Sequence, residues 1–231
     1  MQQTNPIDAQ MEEASHALTT GQYLLAAMLC RDALTTARAE HDFGRMKRIC
    51  MPMLEAQRYL RQSALESGAI HTIAKSTDIP ETPGNDCFLF APNFVGADAL
   101  RFRHAANDAS IAPFVLTREP TTSKNQWPIV GVAERVVRVR INPPKDDTPN
   151  PKWFSAAAEA LGDQAIRDAL DASEPDDPPA WIVDDFLDRI EACPEHEKFM
   201  MALADACGNA VGHAVPTRKR RRGLIDDPYS F

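Results

Sequence analysis

The chain has 231 residues, 44% of them hydrophobic and 25% charged, and a formal net charge of −8. That length and apolar content suit a globular protein of one or two domains with a sizeable core. The acidic balance argues against a general nucleic-acid binder, which needs a contiguous basic surface, and no apolar run approaches the ~20 residues of a membrane span.

Met1-Gln2-Gln3-Thr4 lacks the basic start of a secretory signal, so a cytoplasmic location is the expectation. Five cysteines, Cys30, Cys50, Cys87, Cys193 and Cys207, are odd in number and widely spaced, which predicts reduced thiols and no disulfide framework. Charge is unevenly spread: residues 159–195 carry twelve acids against two bases, and 98–145 carry eight bases against four acids.

Asn5-Pro6 reads as a helix entry, Ile7 to Thr20 as a first helix ending at Gly21, and Gln22 to Ala39 as a second. Tyr23, Ala26, Cys30 and Ala33 recur at steps of three and four, a narrow face on which helices can approach closely. Ala14, Gly21, Tyr23, Ala26 and Ala33 also stand at the spacing of a tetratricopeptide repeat, and residues 7–40 resemble one such unit. The segment differs where that family carries Trp and Leu, here Gln10 and Glu13, and a closing Pro, here Arg38. The resemblance implies a helical hairpin.

A third helix spans Phe43 to Ser67, with Met46, Ile49, Met53, Leu54, Leu60 and Leu65 as its apolar positions, and Pro52 is expected to kink or divide it at Met51. One hairpin and one helix cannot form a solenoid, so the expectation is a small bundle. Its apolar face is covered by the rest of the chain or forms a groove for a partner peptide or helix. Met46, Met51 and Met53 suit either role, as core filler or adaptable surface.

After a possible strand at Ala69 to Ala74 and a Pro/Gly-rich loop at Asp78 to Asp86, the stretch Asp86 to Asn142 brackets a helix with β-formers. Cys87 to Ala91 is a continuous apolar run, the pattern of a strand buried on both faces. From Gly96 to Ala109 the period is helical, with Ala97, Leu100, Ala105 and Ala109 on one side and Arg101, Arg103 and Asp108 elsewhere. Ile111 to Thr117 is a second strand, making a parallel βαβ pair the expectation. Ile129 to Ala133 and Val136 to Ile141 extend the sheet, with Glu134-Arg135 as a bulge or bend.

Beyond the Pro-rich linker 143–151, a helix starts at Trp153, is interrupted at Gly162-Asp163 and resumes to Leu170. Trp181 to Ala192 and Glu195 to Val211, joined at Pro194, predict an αα-hairpin. The fold class is therefore mixed α/β: a small, mostly parallel sheet with helices before and after it. Its parts are a helical hairpin or bundle at 1–67, an α/β core at 68–142, helices packing on it at 152–213, and a basic tail at 214–231 expected to be disordered.

Four features bear on chemistry. Pro92 to Asp98 turns from buried strand to helix, where α/β folds place ligands; Asn93 and Gly96 are its candidate ligand-binding residues, although Asp98 can itself satisfy the helix dipole. Arg138 and Arg140 alternate with Val137, Val139 and Ile141, so both point to one face, and Arg118 joins them if the strands are neighbours. Such a cluster binds phosphate or carboxylate, or else forms a solvated, ion-paired face. Cys193, His196, Cys207 and His213 have ligand-pair spacing, but core packing accounts for Cys207 equally well, and no metal or cofactor is assigned. Arg218, Lys219, Arg220, Arg221 and Arg222 form a solvated basic run able to contact nucleic acid or the acidic region 159–195.

No nucleophile elbow, phosphate loop or zinc-helix motif is present. The leading expectation is a non-catalytic intracellular interaction or adaptor protein with a protein partner and no membrane role. The alternative is an α/β ligand-binding or enzymatic domain holding an anionic small molecule at 92–98. A deep pocket at that turn would favour the second, and an apolar groove on the helices the first.

Overall fold

The computed structural model describes residues 5–121 and 125–217. Three helices lead: α1 (Pro6–Thr19), α2 (Tyr23–Ala39) and α3 (Phe43–Glu66). Asn5 caps α1 by accepting the Ile7 N–H at 2.9 Å, with Pro6 at the first helical position. Gly21 takes φ +74° between α1 and α2, a left-handed turn that glycine adopts without strain. Ala14, Ala26, Cys30 and Ala33 are fully buried, so the small-residue face does bring these helices together.

Pro52 does not divide α3. The helix continues through it, held by the buried side chains of Ile49, Cys50, Met53 and Leu54 on either side of the missing N–H. Local propensity is overridden by burial here.

The sheet has five strands in sequential order, β1 (Ile70–Ile73), β2 (Cys87–Phe90), β3 (Phe114–Arg118), β4 (Trp127–Gly131) and β5 (Val137–Ile141). It is mixed. β1, β2 and β3 are parallel, the last two joined through α4 (Gly96–Asp108), whereas β3, β4 and β5 run antiparallel. The connections from β3 to β4 and from β4 to β5 span only 119–126 and 132–136, too short for a crossover, and such short links permit only antiparallel neighbours. Glu134-Arg135 thus lies in the turn of a hairpin rather than in a bulge within one strand.

Every residue of β2 is buried. Phe88 and Phe90 face α4, packing with Ile73, Ala99 and Phe102, while Cys87 and Leu89 join the main core with residues of α3, α5 and α7. On α4 the buried residues are Gly96, Ala99, Arg103 and Ala106, which corrects the expected stripe of Ala97, Leu100 and Ala105. The pattern misleads because Arg103, counted as a surface residue, is only 8% exposed.

Three further helices follow among the described residues: α5 (Pro151–Asp171), α6 (Pro179–Leu187) and α7 (Glu197–Ala210). The expected break at Gly162 is absent, and α5 is continuous. Gly162 is there for packing: a Cβ at this position would collide with the buried imidazole of His196. Phe186 of α6 meets Phe199 of α7 edge-on at 5.3 Å, placing the end of one helix against the start of the next. The main buried cluster holds residues of α1–α3, the sheet and α5–α7, so the helical flanks and the sheet share one core. No helix among the described residues is long and apolar enough to cross a membrane.

Candidate binding groove

At the strand–helix turn, the groups expected to hold an anion are already engaged. Asn93, at φ +132°, donates its side-chain amide to the Ala74 carbonyl at 3.2 Å and so ties the turn to the end of β1. Gly96 is buried, and a Cβ there would run into Val132, so it serves close packing and not ligand approach. The Asp98 carboxylate accepts the Val95 N–H at 2.9 Å, capping α4 from within, and also pairs with Arg101. The space beneath the turn is only about 20 Å³.

The arginines do not form one cluster. β4 separates β3 from β5, and the register aligns Arg118 with Ile129 and Ile129 with Val139, which places Arg118 on the face opposite Arg138 and Arg140. Arg118 lies over the Trp127 ring at 3.7 Å, a cation–π contact, and burial pushes its pKa down. Arg138 reaches Glu119 at 3.3 Å. Cys207 lies beside Cys50 in the helical core, Cys193 beneath β3, and His213 on the surface. Among the described residues, no three His, Cys, Asp or Glu side chains are grouped to hold a metal. The run Arg218, Lys219, Arg220, Arg221 and Arg222 lies outside the described residues.

His196 instead has a structural role. Its Nδ1 accepts the Phe199 N–H at 3.0 Å, capping α7, and its Nε2 stands 3.3 Å from Glu159 and 3.5 Å from Asp163. Nδ1 must carry a lone pair to accept, so the proton of the neutral ring sits on Nε2 and faces both carboxylates. Those contacts are near hydrogen-bonding distance but poorly aimed, and Nε2 has no well-formed partner.

A sizeable concavity among the described residues lies on the helices. A groove of about 780 Å³ runs between the start of α2 and the second half of α3 on one side and the ends of the α4 and β2 connections on the other. Tyr23 and Tyr59 stack on each other within the helical wall, with ring centroids 4.3 Å apart and planes 9° from parallel. Leu25, Met28 and Tyr59 are each 40–45% exposed. The facing wall is polar, presenting Asn85, Asn107 and Ser110. Asn85 is fixed by accepting the Ala112 N–H at 2.8 Å.

Leu24, Leu60, Asn107 and Ala112 also border a smaller chamber of about 30 Å³, which contains Arg31, Gln57, Arg61, Arg103 and Glu195. Arg31 pairs with Glu191, and Arg103 donates to the Glu191 carbonyl at 2.5 Å. Arg61 donates to Glu159 at 2.5 Å and to Ser155 at 3.1 Å. Burial pushes the Glu195 carboxyl up, opposed by the Arg103 charge, and pushes the Arg31 and Arg103 guanidiniums down.

Of the groove residues, the sequence marks Gly21 and Tyr23 at a helical-hairpin turn and Leu60 on an apolar face able to form a groove, but it does not mark Leu25, Met28, Tyr59, Gln57 or Glu195. A signal existed in α2: Leu25 and Met28 stand three apart and off the face of Ala26, Cys30 and Ala33, an apolar pair outside the buried stripe. Compared with family models, curated proteins and solved structures, the chain matches none.

Proposed function

We propose that the protein is a non-catalytic interaction protein whose helical groove docks an apolar or amphipathic segment of a partner protein. The observation that carries this reading is the groove wall, where half-buried Tyr23 and exposed Leu25, Met28 and Tyr59 gather aromatic and aliphatic surface in one concavity. Aromatic side chains in a concave site are the residues from which binding energy is most often drawn, and a polar opposite wall supplies hydrogen bonds to a peptide backbone. The tetratricopeptide-like reading of residues 7–40 belongs to the same proposal, because the turn at Gly21 and the start of α2 form one end of the groove. An anionic small molecule at 92–98 has less support, since Asp98 caps the helix there and Asn93 is bound to Ala74.

The test is selection of random linear peptides displayed on phage against the full chain, followed by titration of the enriched peptides. Tyr59→Ala and Leu25→Ser are expected to weaken binding at least about tenfold each, the scale of a central interface residue, with circular dichroism unchanged. Binders indifferent to both substitutions would refute the groove as the docking site.

A further inference from the structure

The groove presents Tyr23, Leu25, Met28, Tyr59 and Leu60 on one wall, and its charged lining residue among those described is Asp108. Asp108 is exposed at the end of α4 and forms no ion pair among the described residues. A carboxylate at a helix C-terminus adds to the negative end of the helix dipole, so this spot attracts positive charge. The occupant that fits joins bases to aromatic and aliphatic residues within a short stretch.

The chain carries such a stretch itself. Residues 1–4, 122–124 and 218–231 lie outside the described residues, and of these only 218–231 contains aromatic or branched aliphatic side chains: Leu224, Ile225, Tyr229 and Phe231. They follow the bases Arg218 to Arg222. With Asp226 and Asp227 counted, the stretch carries +3, which leaves −11 on residues 1–217 of a chain at −8 overall. The two parts attract each other.

The groove is within reach of this stretch. α7 runs antiparallel to α3: Glu197 at its start pairs with Arg58, and a Cβ at Gly208, near its end, would meet the Lys47 side chain. Past α7, Val215 packs on the main core and the described residues end at Thr217. From Lys47 to Tyr59, α3 rises about 18 Å. Leu224 extends up to about 23 Å beyond Thr217 and Phe231 up to about 46 Å, so residues 224–231 cover the distance with length to spare.

We propose that residues 224–231 seat in this groove of their own chain, drawn by the bases before them, and that a partner segment binds by displacing them. This rests on the groove reading above and adds the regulation of that site. Tethering sets an effective concentration on the order of millimolar. A contact with an intrinsic Kd of only about 0.1 mM then fills the groove in about nine-tenths of the molecules and raises a partner's apparent Kd about tenfold.

The test keeps the full chain and combines Leu224→Ser, Ile225→Ser, Tyr229→Ser and Phe231→Ser, which leaves the described core and the net charge unchanged. The peptides selected as above are expected to bind this variant about tenfold more tightly than the wild type, and Tyr59→Ala to weaken binding to the variant. Occupancy is read directly from a nitroxide attached at Ser230→Cys in the full chain, which is labelled alone because the five native cysteines are buried. The Met28 methyl resonance is expected to broaden independently of protein concentration, and to recover in the fourfold variant or with Tyr59→Ala. Equal peptide affinity for the two chains overturns the tail contact, and the groove reading stands if Tyr59→Ala still weakens binding. An unbroadened Met28 overturns it too, as does broadening that grows with concentration, which marks a second copy as the host. If no peptide is enriched on either chain, the partner reading fails and the Met28 resonance alone decides the tail contact.

Discussion

Substitution of Gly162 by Ala sets local propensity directly against packing. Gly162 is in the interior of α5, where Ala is favoured by about 1 kcal/mol on helix propensity alone. Its missing side chain, however, is the space occupied by His196, which is 3% exposed. The imidazole cannot move aside freely, because Nδ1 holds the Phe199 N–H and Nε2 is beside Glu159 and Asp163. Overpacking of this kind costs about 1–3 kcal/mol, and disturbing the cap of α7 costs about 1 kcal/mol more. Set against the propensity gain, the net expectation is a loss of about 1–3 kcal/mol in urea unfolding. For a chain of this size that lowers Tm by about 2–12 °C. His196→Ala should also destabilise, but in the double variant the two changes should partly compensate, giving a coupling above about 0.5 kcal/mol in a double-mutant cycle. Stabilisation by Gly162→Ala, or strict additivity, would show that the glycine is not held by His196.

The same histidine makes stability depend on pH. Burial lowers its pKa from about 6.5, with Lys198 and Arg61 acting in the same sense and Glu159 and Asp163 opposing. The unfolded chain then binds the proton more readily, so this contribution is complete above about pH 6.5 and declines as pH falls below it. Urea midpoints from pH 8 to 5 should fall more steeply for the wild type than for His196→Asn, which caps without titrating; equal slopes would remove His196 as the cause. Arg38 grips Asp184 through two bonds of 2.7 Å, joining α2 to α6, so Arg38→Lys, which cannot form the fork, should cost about 1 kcal/mol by urea denaturation. A fragment of residues 86–142 would expose Cys87, Leu89, Phe114 and Leu116, which α3, α5 and α7 cover in the full chain. It is expected to bind a hydrophobic dye and to lack dispersed amide resonances, and a well-dispersed spectrum would contradict the shared core.

Much of the architecture was legible because it is local. The apolar run Cys87 to Ala91, the helical period after Gly96 and the helix entry at Asn5-Pro6 each declare an element within one or two turns of chain. Where reading failed, a residue's local meaning was replaced by a distant contact. The expected strand starts at Ile129, yet β4 begins at Trp127 and includes Pro128, paired with Arg140. Arg103 reads as surface, yet Glu191 draws it inside. Arg118 reads as a partner of Arg138, yet the sheet register turns it to the opposite face, over Trp127.

The sequence by itself determined which segments are helix or strand, the mixed α/β class and the burial of β2 on both faces, because hydrophobic periodicity and turn chemistry act over a few residues. Only the tertiary structure decided that β4 and β5 turn antiparallel, that α5 runs through Gly162, and that Tyr23, Leu25, Met28 and Tyr59 meet above a chamber containing Gln57, Arg103 and Glu195. Those side chains come from α2, α3, α4 and the entry to α7, and their convergence depends on how the helices pack around the sheet, which no local pattern encodes.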